Sequence, residues 1–346
     1  MTNNKLFIKT LRGEKNDRVP FWFMRQAGRY LPEYMALRKE ARSFLDLCYN
    51  PDFATEVTLQ PIRRFNMDAA ILFSDILVIP HALGQDLAFK VGEGPVLTPV
   101  NNLEKLEALS DKSLHDHLNP VYQTVSKLSK TLPEHVALIG FAGAPWTVAT
   151  YMVNGRSSKD QAETRLMAYQ DRETFTKLIG LLVTSTSEYL IRQVDHGAEA
   201  LQIFDSWSGT LPADEFIKWC VEPVQKIVEN IRAVHPDVPI IGFPKGAGAK
   251  IKNFVKKTKV NAVSIDTSTS ITWVQNVMQP LCTVQGNLDP LLLVSGGEPL
   301  KKAVYHILDH LKDGPHVFNL GHGIIPQTPP ENVKMVSDII LNYRRS

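Results

Sequence analysis

Residues 136–146, VALIGFAGAPW, set the pattern from which the fold is read. A six-residue apolar run, VALIGF, stops at a Gly-Ala-Pro break and gives way to a stretch with helical periodicity. The same unit recurs in both directions along the chain. Upstream, apolar runs stand at residues 20–24 (PFWFM) and 68–73 (DAAILF). Downstream they stand at 198–204 (AEALQIF), 239–243 (PIIGF), 262–266 (AVSID), 283–286 (TVQG) and 316–320 (HVFNL). Each is cut off by Gly, Pro, Asp or Ser and followed by a helical pattern, which is the alternation of a parallel α/β protein. Eight units predict a single-domain (β/α)8 TIM barrel, and the length of 346 residues lies within the ~200 to 400 that such barrels span.

The segments between the runs agree with this. Residues 214–234 carry apolar side chains at three- and four-residue spacing, while 299–311 and 330–343 open on proline with glutamate beside it, as helix starts do. Two inserts, 103–132 and 159–196, exceed a minimal unit but read as amphipathic helices rather than linkers. No low-complexity tract or 20–50-residue repeat is present, so the eightfold pattern is architectural. A doubly wound sheet is the structural alternative, but the first turn, residues 25–30, lacks the G-x-G-x-x-G phosphate loop of such folds.

Composition narrows the function. With 38 Lys+Arg against 36 Asp+Glu the net charge is +2, which gives no basic field for nucleic acid; an anionic ligand has to be met by local groups. Cys48, Cys220 and Cys282 are odd in number and far apart, a pattern of free thiols in a reducing compartment. The N-terminal stretch MTNNKLFIKTLRGEKNDRVP has no signal-peptide core, and no run approaches the ~18 apolar residues of a membrane span, so the expectation is a cytoplasmic protein without a membrane partner. The ten histidines include no H-E-x-x-H motif and none near a cysteine at ligand spacing; His306 and His310, four apart, read as a solvated helix face. No metal is therefore expected. A G-x-S-x-G elbow and a Walker loop are absent as well.

In (β/α)8 barrels the chemistry sits just past the strand C-termini. There the chain offers Arg25-Gln26-Ala27-Gly28-Arg29-Tyr30, Ser74-Asp75, Ala142 to Trp146, Asp205-Ser206-Trp207 and Gly321-His322-Gly323. Arg25 and Arg29, four apart around a glycine, are either a bidentate clamp for carboxylates or phosphates, or surface arginines held in ion pairs. Asp75 is either a cap for the next helix or a carboxylate facing the mouth. His322 lies between glycines that either admit a ligand to the backbone or serve a turn with positive φ. Tyr151 and Ser206 are donors for a ligand, or ordinary satisfied polar groups at a loop edge.

Taken together, FMRQAGRYLPEY (residues 23–34), ILFSDILVIPHALG (71–84), GFAGAPWTVATYMVNG (140–155), LQIFDSW (201–207), VQGNLDP (284–290) and NLGHGIIP (319–326) resemble the uroporphyrinogen decarboxylase family. The blocks run in order through nearly the whole chain. The resemblance implies removal of CO2 from the four acetate arms of uroporphyrinogen III to give coproporphyrinogen III, with no cofactor and as a homodimer. It also implies substrate contacts from Arg25, Gln26, Ala27, Gly28, Arg29, Asp75, Tyr151, Ser206 and His322. Asp75 would lie beneath the macrocycle, and Arg25 and Arg29 would meet its acid arms and stand as candidate proton donors. The chain departs from the family at Asn154-Gly155-Arg156-Ser157, where Arg156 is a candidate for a further contact to substrate or partner subunit, and at Thr267, where a tryptophan is expected. Two rivals remain: a zinc-dependent corrinoid or thiol methyltransferase of a related barrel family, and a tetrapyrrole-binding protein without chemistry.

Overall fold

The computed structural model describes residues 4–90 and 92–345. Its main sheet consists of β1 (Ala69–Ile71), β4 (Ala137–Gly143), β5 (Ala200–Asp205), β6 (Ile240–Pro244), β7 (Ala262–Ser264), β8 (Thr283–Gln285) and β9 (His316–Val317), hydrogen-bonded in that order and all parallel. The two remaining strands, β2 (Leu87–Lys90) and β3 (Gly94–Leu97), form a separate antiparallel hairpin.

The first apolar run closes the ring. Phe21 bridges Phe318 in parallel, the Phe318 N–H donates to Pro20 O (2.9 Å), and on the other side the Asp68 N–H donates to Phe21 O (3.0 Å). Pro20 has no N–H to give, so this eighth stave is a short bridge rather than a full ladder. Side chains lock it in place. The Arg18 guanidinium grips both oxygens of buried Asp68, and Asp68 Oδ2 also accepts the Phe21 N–H (3.0 Å). Removing the charge with Asp68→Asn is expected to leave Arg18 unpaired and to lower unfolding free energy by about 3 kcal/mol, read by urea denaturation. A loss below about 1 kcal/mol would mean that the closure is held by its backbone alone.

Two apolar layers follow from the alternation of strand side chains. Ala69, Ala137, Ile139, Ala200, Ile241, Phe243, Ala262 and Val317 cluster with Trp22 and with Phe7, Ile8 and Leu11 of the helix Leu6–Leu11. That helix stops the N-terminal end of the barrel: Lys5 Nζ reaches Val136 O (2.8 Å), and the Thr283 hydroxyl donates to Thr10 O (2.7 Å). The larger cluster lies between strands and outer helices. A buried polar link crosses the barrel, from the Trp22 indole N–H to Gln285 Oε1 (2.8 Å) and from Gln285 Nε2 to Gln202 Oε1 (3.0 Å). With one end plugged, the opening lies at the C-terminal ends of the strands.

The outer helices follow the sequence with modest shifts. The 214–234 segment is one continuous rod, Ala213–Phe216 then Glu222–Val234, joined by a π-helical turn at Ile217–Val221. The inserts are Leu103–Glu107 with Leu114–Thr131, and Ala162–Gln170 with Arg172–Asp195. The last two helices are Gly297–His310 and Pro330–Asn342, with His306 exposed. The β2–β3 hairpin was not among the eight runs. Its Leu87 and Leu97 pack on Leu77, with Ile76 and Tyr151 against them, so it walls the loop that follows β1.

Candidate active site

Past the first stave the backbone of Arg25 enters the left-handed region (φ 59°), in a turn closed by the Gln26 N–H on Phe23 O (2.9 Å). A non-glycine residue there is strained by about 1–2 kcal/mol. Neither Arg25 nor Arg29 makes an ion pair or side-chain hydrogen bond among the described residues, and both are exposed. The reading of paired surface arginines therefore fails. The Arg25 stem lies against Gly323, while the charge of Arg29, one turn further out, is felt by Tyr34. Gln26 is fully buried with neither amide atom partnered, Ala27 is half-buried against the core, and Gly28 O accepts the Leu31 N–H (3.0 Å).

Asp75 does not cap the next helix, Val78–Ala82, whose N-cap is Leu77 without a side-chain bond; its Oδ1 accepts the Leu77 N–H (2.9 Å) in a tight turn before that helix, and the carboxylate is within the field of Arg25. Burial pushes its pKa up to about 6 from the ordinary 3.8, opposed by the Leu77 N–H and by Arg25. Tyr151, on the helix Pro145–Asn154, senses both Asp75 and Arg25; burial raises its pKa, so the phenol keeps its proton as a donor.

Ser206 follows β5 with its hydroxyl free of hydrogen bonds among the described residues, and its neighbours are fastened on either side. The Thr147 hydroxyl donates to Asp205 Oδ1 (2.6 Å) and accepts the Trp207 N–H (3.1 Å). The Trp207 ring faces Tyr151 at 6.4 Å between centroids. Burial lifts Asp205 to about 6, and its other oxygen has no oxygen- or nitrogen-bound partner among the described residues.

His322 is held neutral: burial, then Lys245, then Arg25, lower its pKa to about 3. Its flanking glycines do not adopt positive φ, so the turn reading is set aside. They are needed for close packing. A Cβ on Gly321 would stand 2.3 Å from the Thr267 backbone nitrogen, and one on Gly323 would stand 2.4 Å from Arg25 Cδ. Thr267, noted as a departure in sequence, thus supports the His322 loop from below. Arg156 pairs by backbone with Val96 of the hairpin.

The electrostatics link Arg25, Asp75, Tyr151 and His322 past the strand ends, with Ser206 directly after β5 and Arg29 exposed four residues on from Arg25. Sequence reasoning missed Lys245, which follows β6 directly and was legible by the same strand-end rule. It named Asp205 at a strand end but gave it no role, and the Asp205 side chain holds the Ser206 loop through Thr147. Among the described residues no three His, Cys, Asp or Glu side chains come together as metal ligands, so the ligand set of a zinc methyltransferase is not assembled.

A plugged barrel whose open end holds an unpaired arginine, a half-buried carboxylate, a protonated phenol and a neutral imidazole has the arrangement of a (β/α)8-barrel enzyme. The family description "Uroporphyrinogen decarboxylase (URO-D)" matches residues 2–343. A uroporphyrinogen decarboxylase of Rhodospirillum rubrum is 54% identical over 97% of each chain, and one of Mesorhizobium japonicum is 53% identical over 96% of this chain and 97% of its own. The chain belongs to the uroporphyrinogen decarboxylase family. Among solved structures, a methyltransferase from Methanosarcina mazei shares the fold, with TM-score 0.80 and 18% identity over 96% of this chain and 97% of its own.

Proposed function

We propose that this chain binds uroporphyrinogen III over Asp75 and releases its four acetate carboxylates as CO2, leaving coproporphyrinogen III, without a metal or organic cofactor. The observation that carries this reading is Asp75, a half-buried carboxylate in the loop past β1 that Arg25 draws toward ionisation. Simple loss of CO2 from a pyrrole acetate would strand a carbanion. If the ring is first protonated at carbon, it becomes the electron sink and takes over a cofactor's task. The cationic ring then needs a fixed anion in a poorly hydrated place, and its inward N–H groups need an acceptor. Asp75 meets both needs.

Around it, Arg25 and Arg29 meet acid arms as charge-assisted donors, and Tyr151, Ser206 and the neutral His322 hydrogen-bond individual carboxylates. Gln26, Ala27 and Gly28 line the same segment through their backbone. The near-neutral total charge is compatible with an octacarboxylate, because the positive groups are concentrated at the mouth. Among the described residues no helix is long and apolar enough to cross a membrane; the homodimer rests on the family resemblance, and the cytoplasmic location on the cysteine pattern of a reducing compartment.

Anaerobic incubation with freshly reduced uroporphyrinogen III and EDTA is expected to give hepta- through tetracarboxylate products in sequence. Turnover lost to EDTA and regained with zinc would overturn the cofactor-free reading. Tight porphyrinogen binding without any product would favour a binding protein.

A further inference from the structure

We infer that the ammonium of Lys245 is the proton donor to the pyrrole ring, because Lys245 stands directly past the end of β6, half-buried and without a side-chain partner among the described residues, two residues on from Phe243, whose ring lies 6.5 Å from that of His322. The inference rests on the decarboxylase reading above and goes beyond it by naming the acid. Guanidinium groups, with pKa above ~12, are poor acids near neutral pH; an ammonium is a workable one once its environment weakens its hold on the proton.

The backbone of Lys245 is fixed on all sides. Its N–H donates to Asp205 O (3.1 Å), its carbonyl accepts the Ser208 hydroxyl (3.1 Å), and the next N–H, of Gly246, donates to Asp266 Oδ2 (2.7 Å). Such pinning at the end of a barrel strand fixes the origin of the side chain. The structural alternative is an ion pair with Asp266. That carboxylate is already supplied by the N–H groups of Gly246 and Ser268 and by the hydroxyls of Ser268 and Thr269, and Lys245 makes no salt bridge or side-chain hydrogen bond among the described residues. Partial burial lowers the pKa of the ammonium, Asp266 opposes this, and Arg25 adds to it. The net result is an ammonium more acidic than a lysine in water.

The step balances as follows. An N–H bond of the ammonium breaks, its electron pair stays on nitrogen, and the proton forms a C–H bond at the ring α-carbon next to the acetate-bearing carbon. The bond to CO2 then breaks, and its electron pair neutralises the cationic ring as an exocyclic methylene. Solvent protonates that methylene to a methyl group. The ring α-carbon returns its proton to the Lys245 amine, and one proton is consumed per CO2.

The test compares wild type with Lys245→Ala, Lys245→Gln and Lys245→Arg on uroporphyrinogen III, after thermal unfolding has shown which variants are folded. The expected result is a fall in kcat of about 100-fold or more in each, Arg included, with KM changed less than about threefold. Added methylamine or ethylamine should restore turnover in Lys245→Ala, following the acidity of the amine. Full activity in Lys245→Arg would overturn the proposal by showing that charge alone is needed. A raised KM with unchanged kcat would do so by showing a carboxylate-binding role, and so would a folded Lys245→Ala that no amine rescues. Should Lys245→Ala not fold, the Gln and Arg variants decide by the same kcat criterion. An inactive wild type would refute the decarboxylase reading itself.

Discussion

Asp75→Asn is expected to lower turnover by about 10³-fold while raising stability at neutral pH. Asparagine keeps the shape and can still accept the Leu77 N–H, so the loop need not move. What disappears is the negative charge that a cationic ring requires, and fixed charges aimed at developing charge are among the largest contributions to catalysis. The stability gain has a definite sign. In the folded protein Asp75 holds its proton up to about pH 6, against the ordinary 3.8. Between those values the folded state binds more protons than the unfolded one, so stability falls as pH rises through that window and stays lower above it. Two units would be about 3 kcal/mol. Water reaches the open side of the carboxylate, which reduces the expected gain of the variant to about 2 kcal/mol at pH 7.5, vanishing near pH 4. Denaturant unfolding of both proteins at the two pH values checks this. A variant less stable than wild type at pH 7.5 would show that Asp75 is held mainly by favourable contacts rather than retained at a cost for its charge.

The division between what was legible in the sequence and what was not has physical reasons. The central strands announced themselves because a strand covered on both faces needs a continuous apolar run. The run at 20–24 was also legible as a barrel stave, but its role as a short bridge was not, since that depends on the Arg18–Asp68 grip across fifty residues of chain. The β2–β3 hairpin escaped because its strands are four residues each and partly polar, although Gly92-Glu93-Gly94 marks its turn. The π-helical turn at Ile217–Val221 left no trace, because one extra residue per turn hardly disturbs an apolar stripe over a few residues. At the site, Arg25, Asp75 and His322 were found by looking past strand ends, but the alternatives for each could be decided only in three dimensions. Arg25 is unpaired among the described residues, the Asp75 carboxylate closes a tight turn instead of capping the helix, and the glycines around His322 are close-packed with ordinary φ.

Those glycines give the second large expected effect. Gly323→Ala should leave the fold nearly intact, yet reduce kcat/KM by about 100-fold through Arg25. The backbone at residue 323 has ordinary φ, so alanine adds no conformational strain there. Its methyl group would stand 2.4 Å from Arg25 Cδ and 2.6 Å from Cγ, inside any tolerable contact, and the arginine stem is the softer partner. Arg25 has little freedom to adjust at its root, because its own φ is already left-handed and the Ile324 N–H ties the His322 loop to Met24 O (2.9 Å). The guanidinium must therefore swing away from the field it shares with Asp75. Gly321→Ala differs, because its methyl group meets the Thr267 backbone at 2.3 Å, and backbone gives way only with loss of stability, about 3 kcal/mol. A double-mutant cycle separates the two ideas. If Gly323 acts only by positioning Arg25, Arg25→Ala with Gly323→Ala should be no slower than Arg25→Ala alone. Multiplicative losses in that pair would instead mean that the glycine serves the substrate or His322 directly.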